Sequence, residues 1–139
     1  MTTTNDASTW TGEEARVRGV LDGTYAAWAA NDADAFATYY TEDASIVLAV
    51  PPTFNQGRET IRAHMAAAFA GPLKGSRPVD TPQTVRLLGE DTAIVVSEGG
   101  ILLPGESELP AERKRRATWV LSKTSGDWLV AAYHNSPVG

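Results

Sequence analysis

Cysteine is absent from the 139 residues, which excludes disulfides, thiolate metal sites and a cysteine nucleophile together. Histidine is scarce. Only His64 and His134 are present, and neither has a Glu or Asp three or four residues further on, so no metal site is expected. No apolar stretch approaches the ~18–20 residues of a membrane span; the run Ile101-Leu102-Leu103 already stops at Pro104. The opening MTTTND has neither the basic start nor the apolar run of a secretory signal, and a soluble cytoplasmic protein is expected. Basic residues are outnumbered, 12 Lys+Arg against 17 Asp+Glu for a net charge of −5, which disfavours nucleic acid and anionic membrane as partners. No Gly-x-Gly-x-x-Gly turn follows a strand, so neither a dinucleotide nor any other cofactor is expected.

What is present suits one globular domain. Hydrophobic residues make up 42% and charged residues 21%, a balance that favours a packed core over disorder. A chain of this length buries roughly two-thirds of its unfolded surface without staples. Residues 1–11 are polar and Thr-rich and read as a flexible N-terminal arm; residues 12–139 read as a single domain.

Helical spacing begins at Thr11, a candidate N-cap followed by Glu13 and Glu14. Val17, Val20/Leu21, Thr24/Tyr25 and Trp28 then form one apolar stripe ending near Asn31. A second helix starts near Asp32 and carries Ala33, Phe36 and Tyr39/Tyr40 inward until Glu42-Asp43 break it. Residues 44–50 (ASIVLAV) read as a strand ended by Pro51-Pro52, and residues 53–56 as a short return closed by Gly57. A third helix over 58–70 carries Ile61, His64/Met65 and Ala68/Phe69 along one side and stops at Gly71-Pro72. Four long β-rich runs follow, over 79–88, 92–103, 113–123 and 128–135, with turn signals between them. Short links make successive runs antiparallel neighbours. Helices gathered before a run of strands indicate an α+β layout, the helices on one side of a curved sheet.

Both parities of the long strands are apolar. Ile94, Val96 and Leu102 fall on one side of the run 92–103, and Ala93, Val95, Ile101 and Leu103 on the other. A sheet covered by helices on one face alone should be polar on the other, so a homodimer across a two-fold axis is expected.

Read with this element order, several local words resemble the nuclear transport factor 2-like superfamily. They are Trp28 to Phe36 (WAANDADAF), Tyr40 to Ala44 (YTEDA), Gly57 to Ile61 (GRETI) and Gly126 to Val130 (GDWLV). Within it the chain is similar to the SnoaL-like branch, and Phe69 to Ser76 (FAGPLKGS) and Ala132 to Ser136 (AYHNS) resemble the SgcJ/EcaC type. The resemblance implies a cone-shaped α+β fold, a curved antiparallel (mixed) sheet wrapped around three N-terminal helices with a blind pocket at its open end. It also implies a cofactor-free protein that binds or acts on a hydrophobic polyketide or polyene intermediate in natural-product biosynthesis, enediyne antibiotics included. The superfamily equally contains non-catalytic dimerisation and docking modules, here for a larger biosynthetic enzyme, and whether turnover occurs stays open. Its ketosteroid isomerases carry acids on the first and penultimate strands; residues 44–50 and 116–120 here have none, so that chemistry is not carried over.

The candidate catalytic groups are His64, Glu98 and His134. His64 on the third helix is either a pocket-facing acid/base or an ordinary surface or satisfied core histidine. His134 and Asn135 alternate on the last strand, so only one of them faces inward. Glu98 follows Ile94-Val95-Val96, and it is either a desolvated base or an exposed strand-end acid. Arg116 is the member of the basic cluster 113–116 nearest the apolar part, either reaching the pocket mouth to hold an acidic or carbonyl group or capping a solvated strand end. Trp28, Tyr40, Phe54, Phe69, Trp119 and Tyr133 are core by the ordinary rule, and in a hollow cone also pocket wall. Rings of Trp28, Tyr40, Trp119 and Tyr133 would lie along a flat ligand while their polar tips orient it.

Overall fold

The computed structural model describes residues 3–138, with side chains from residue 12 onward. Helix α1 (Thr3–Ala29) already encloses Thr11, the expected N-cap; the side chains of residues 1–11, on which the expected arm falls, lie outside the described residues. Along α1, Val17, Leu21 and Thr24 are buried to 1% or less at the three- and four-residue spacing that makes one helix face. Thr24 donates its hydroxyl to the Leu21 carbonyl at 2.7 Å, so it is buried at no polar cost.

Helix α2 (Ala33–Ala37) is capped by Asp32, whose carboxylate accepts from the Ala35 amide at 3.0 Å. It is shorter than its apolar spacing suggests. Tyr40, expected on this helix, instead opens strand β1 (Tyr40–Leu48), and Glu42 and Asp43 lie within that strand. The physical reason is pairing: the Val130 amide donates to the Tyr39 carbonyl at 2.8 Å, drawing the chain into the sheet. Strand β2 (Thr53–Gln56), helix α3 (Arg58–Ala70), strands β3 (Arg77–Leu88), β4 (Thr92–Leu102), β5 (Arg115–Thr124) and β6 (Asp127–Pro137) complete the fold. The six strands form one curved mixed sheet in the order β2-β1-β6-β5-β4-β3. All neighbours are antiparallel except β1 and β6, which run parallel. Pro78 and Pro82 are tolerated in β3 because it is an edge strand. Helices α1 and α3 pack on the inner face, α1 against β3 and β6, α3 against β1 and β2. Among the described residues no helix is long and apolar enough to cross a membrane.

The inner parity of β4 is Ala93, Val95, Ser97 and Gly99, and that of β5 is Ala117, Trp119 and Leu121, all buried. Two one-residue bulges interrupt simple alternation. Gln83 is the extra residue of β3 between the pairs Pro82–Ser97 and Thr84–Val96. Ala131 is that of β6 between the pairs Leu121–Val130 and Val120–Ala132. Each switches which parity faces inward.

Two contacts hold the walls together. Asn31, at φ 53, donates from Nδ2 to the Trp28 and Ser76 carbonyls at 2.8 and 3.2 Å, and its Oδ1 accepts from the Gly75 amide at 2.6 Å. This stitches the end of α1 to the α3–β3 connection. Gly99 lets β3 approach β4: a Cβ there would lie 2.0 Å from the Val79 carbonyl oxygen and 2.5 Å from the Asp80 Cα. Because backbone and not a flexible side chain is in the way, Gly99→Ala is expected to destabilise the fold by about 1–3 kcal/mol. A urea melt with an unchanged midpoint would contradict that close packing.

Candidate functional site

Between the helices and the inner face of the sheet lies a cavity of about 360 Å³. Its walls are mainly apolar: Trp28, Phe36, Ile46, Leu48, Ile61 and Trp119 are representative. Val50 and His64 both border it and are both exposed, so they mark its rim. The aromatic wall is built edge to face. Trp119 meets Tyr133 at 4.6 Å and 76°, and Tyr25 at 6.1 Å and 82°, geometries favoured by the ring quadrupoles.

Both tryptophan N–H groups near the cavity are already used. Trp119 Nε1 donates to the buried Ser97 hydroxyl and Trp28 Nε1 to the Ser76 hydroxyl, each at 2.9 Å. These indoles therefore offer a ring and no polar tip, which corrects the expectation that their tips orient a ligand. The tyrosines differ. Tyr25 donates its hydroxyl to Asp80 Oδ2 across the cavity, from α1 to β3. Tyr133 accepts from Asn135 Nδ2 at 2.9 Å.

Burial raises the Tyr25 phenol far above its ordinary value, and the Asp80 carboxylate beside it adds to the effect. Tyr40 is also held well above the usual phenol range by burial. Tyr133 is pushed up to about 12, chiefly by burial, with Asp80 raising it further while the Asn135 hydrogen bond and Arg115 oppose. All three phenols are neutral donors at neutral pH.

Of the residues singled out from sequence, Trp28, Tyr40, His64, Trp119, Tyr133 and Asn135 border the cavity. Phe69 does not; it is 6% exposed and supports Trp28 from behind at 5.6 Å. Four others are on the opposite face of the sheet, correcting the expectation that they face inward. Phe54 pairs with Val47 on that face and is 64% exposed. His134 pairs with Thr118 there, the inward place going to Asn135. Arg116 and Glu98 form a cross-strand ion pair at 2.6 Å, joined by Lys114 at 3.4 Å, and these cations hold the Glu98 carboxyl below its ordinary value. A base held as a paired carboxylate on the outer face has no access to the cavity. The common cause is alternation: with Ala117 and Trp119 inward, Arg115 and not Arg116 reaches the cavity.

Tyr25 and Asp80 are the functional pair the sequence reading did not assemble. Plain alternation from Val85 and Leu87 puts Asp80 on the outer face, and the Gln83 bulge turns it inward. The available signal was a lone acid between Val79 and Pro82 in an otherwise apolar strand start. Among the described residues no three His, Asp or Glu side chains come together to hold a metal.

A spectrophotometric titration tests this electrostatic picture. One tyrosine transition near pH 12 should vanish in Tyr133→Phe. A phenol whose folded value exceeds the unfolded one contributes stability fully present below about pH 10 and lost as pH climbs toward 12. Ionisation of Tyr133 near pH 10 in the folded protein would show that the cavity is wet.

Residues 17–139 match a family described as SnoaL-like domain. No curated protein matches the chain. Among solved structures, a domain of unknown function with a cystatin-like fold from Nostoc punctiforme is 25% identical, with a TM-score of 0.83 over 91% of this chain and 78% of that one. An NTF2-like protein with a cystatin-like fold from Novosphingobium aromaticivorans is 20% identical, with a TM-score of 0.81 over 99% and 90%. A ketosteroid isomerase-like protein from Erwinia carotovora atroseptica is 18% identical, with a TM-score of 0.71 over 90% and 95%.

Proposed function

The chain belongs to the SnoaL-like domain family, and from that premise we propose that it binds, without metal or nucleotide, a hydrophobic polyketide or polyene intermediate of natural-product biosynthesis, in the manner of the SgcJ/EcaC type. The observation that carries this reading is the cavity. Its volume of about 360 Å³ falls within the roughly 300–1,000 Å³ of small-molecule sites. Apolar walls supply affinity, and groups from α1, β3 and β6 converge to fix orientation: Tyr25, Asp80, Tyr133 and Asn135. Any proton transfer on the ligand falls to Asp80 and Tyr25, because of Glu98, His134 and Asp80 only Asp80 borders the cavity. His64 stands at the rim, where it meets a ligand entering or leaving.

A second copy of the chain on the outer face is part of the same proposal. Phe54 and Val47 are exposed there as a cross-strand pair, and the neighbouring strands add Ile94, Val96 and Val120 on the same side. Sedimentation should give a dimer for the native chain and a monomer for Phe54→Asp; a monomeric native chain would refute this part. A role as a docking module for a larger synthase draws on that outer face alone and leaves the chamber and its converging polar groups without a use.

The deciding experiment is extraction of the purified protein followed by mass spectrometry of small molecules. A polyene or polyketide fragment in near-stoichiometric amount is expected. Repeated recovery of empty protein tightly bound to a synthase would overturn the ligand reading.

A further inference from the structure

Two phenols in the cavity have a hydrogen to give and no protein atom to take it. Tyr40 is 1% exposed, and among the described residues its hydroxyl makes no hydrogen bond. No enclosed side-chain polar atom lacks a partner, so the accessible part of the Tyr40 hydroxyl is what meets the cavity. Its ring is fixed against Phe36 at 5.1 Å. Tyr133 uses its oxygen as an acceptor from Asn135, and that bond directs its own O–H away from Asn135. Its ring is fixed against Trp119. The two residues stand on the neighbouring parallel strands β1 and β6 and border the same cavity.

We infer that the Tyr40 and Tyr133 hydroxyls form a two-donor subsite for the carbonyl oxygen of an uncharged, flat ketone. This rests on the cavity being a ligand chamber, and it names the chemistry of the guest. A desolvated O–H without a partner costs free energy, and a ligand acceptor oxygen between two such groups removes that cost twice. A hydrocarbon cannot do this. A ligand hydroxyl would compete as a donor where donors are already in surplus. The charge around the subsite is balanced, since Asp80 and Arg115 act on Tyr133 in opposite directions, so a carboxylate gains at Arg115 what it loses at Asp80. The rings of Trp119 and Trp28 provide flat faces with their N–H groups occupied.

Equilibrium dialysis of the intact protein against fluorene, 9-fluorenone and fluorene-9-carboxylate tests the assignment. Fluorenone should bind more tightly than fluorene, and the preference should fall about fivefold in Tyr40→Phe and again in Tyr133→Phe, with fluorene affinity unchanged. Unchanged fluorene binding also reports that each variant is folded. If fluorene binds but the ketone preference is missing or survives both substitutions, the donor pair is wrong while the chamber stands. Preference for the carboxylate would overturn the uncharged guest. Binding of none of the three would remove the chamber, and the subsite with it.

Discussion

The inward phase of two strands is the constraint on which the site depends. β-Strand side chains alternate, so an extra residue converts every later outward position to an inward one. Ala131 does this in β6, letting Val130 and Tyr133 share the inner face although they are an odd number of residues apart. Gln83 does it in β3, bringing Asp80 to the same side as Val85 and Leu87. Without these bulges the cavity would keep its apolar rings and lose Asp80, and Tyr133 and Asn135 would be replaced by their neighbours. Curvature and polar chemistry thus have one origin.

Inside the cavity, polar capacity is distributed unevenly. The indole N–H groups are consumed by Ser97 and Ser76, which locks the ring planes. The Tyr25 hydroxyl is consumed by Asp80. Tyr40 and Tyr133 keep theirs. Satisfied donors give rigidity and unsatisfied ones give recognition, because a buried donor is costly until something accepts from it. The neutral state of all three phenols follows from the burial that creates the chamber.

The outer face follows different rules. There the charged residues find each other: Glu98 with Arg116 and Lys114. Exposed pairs of this kind contribute little to stability, but they keep charge off the apolar strip formed by Val47, Phe54 and their neighbours. Inner and outer faces of the same strands are therefore specialised, one for a small guest and the other for a broad apolar contact.

Sequence alone determined the α+β class, the single domain after the N-terminal residues, the three helices and the strand runs, and it picked out Trp28, Tyr40, Trp119 and Tyr133. Local periodicity and turn chemistry suffice for these, since they depend on neighbours three, four or two positions away. Which of His134 and Asn135, or of Arg115 and Arg116, faces inward was decided only in three dimensions. So were the inward turn of Asp80 and the strand rather than helix around Tyr40. A bulge is set by pairing with residues far along the chain, as between Ala131 and the β5 register, and no local pattern records it. The pairing of β1 with β6 likewise joins the first and last strands, a contact whose geometry exists only once the whole sheet has closed around the helices.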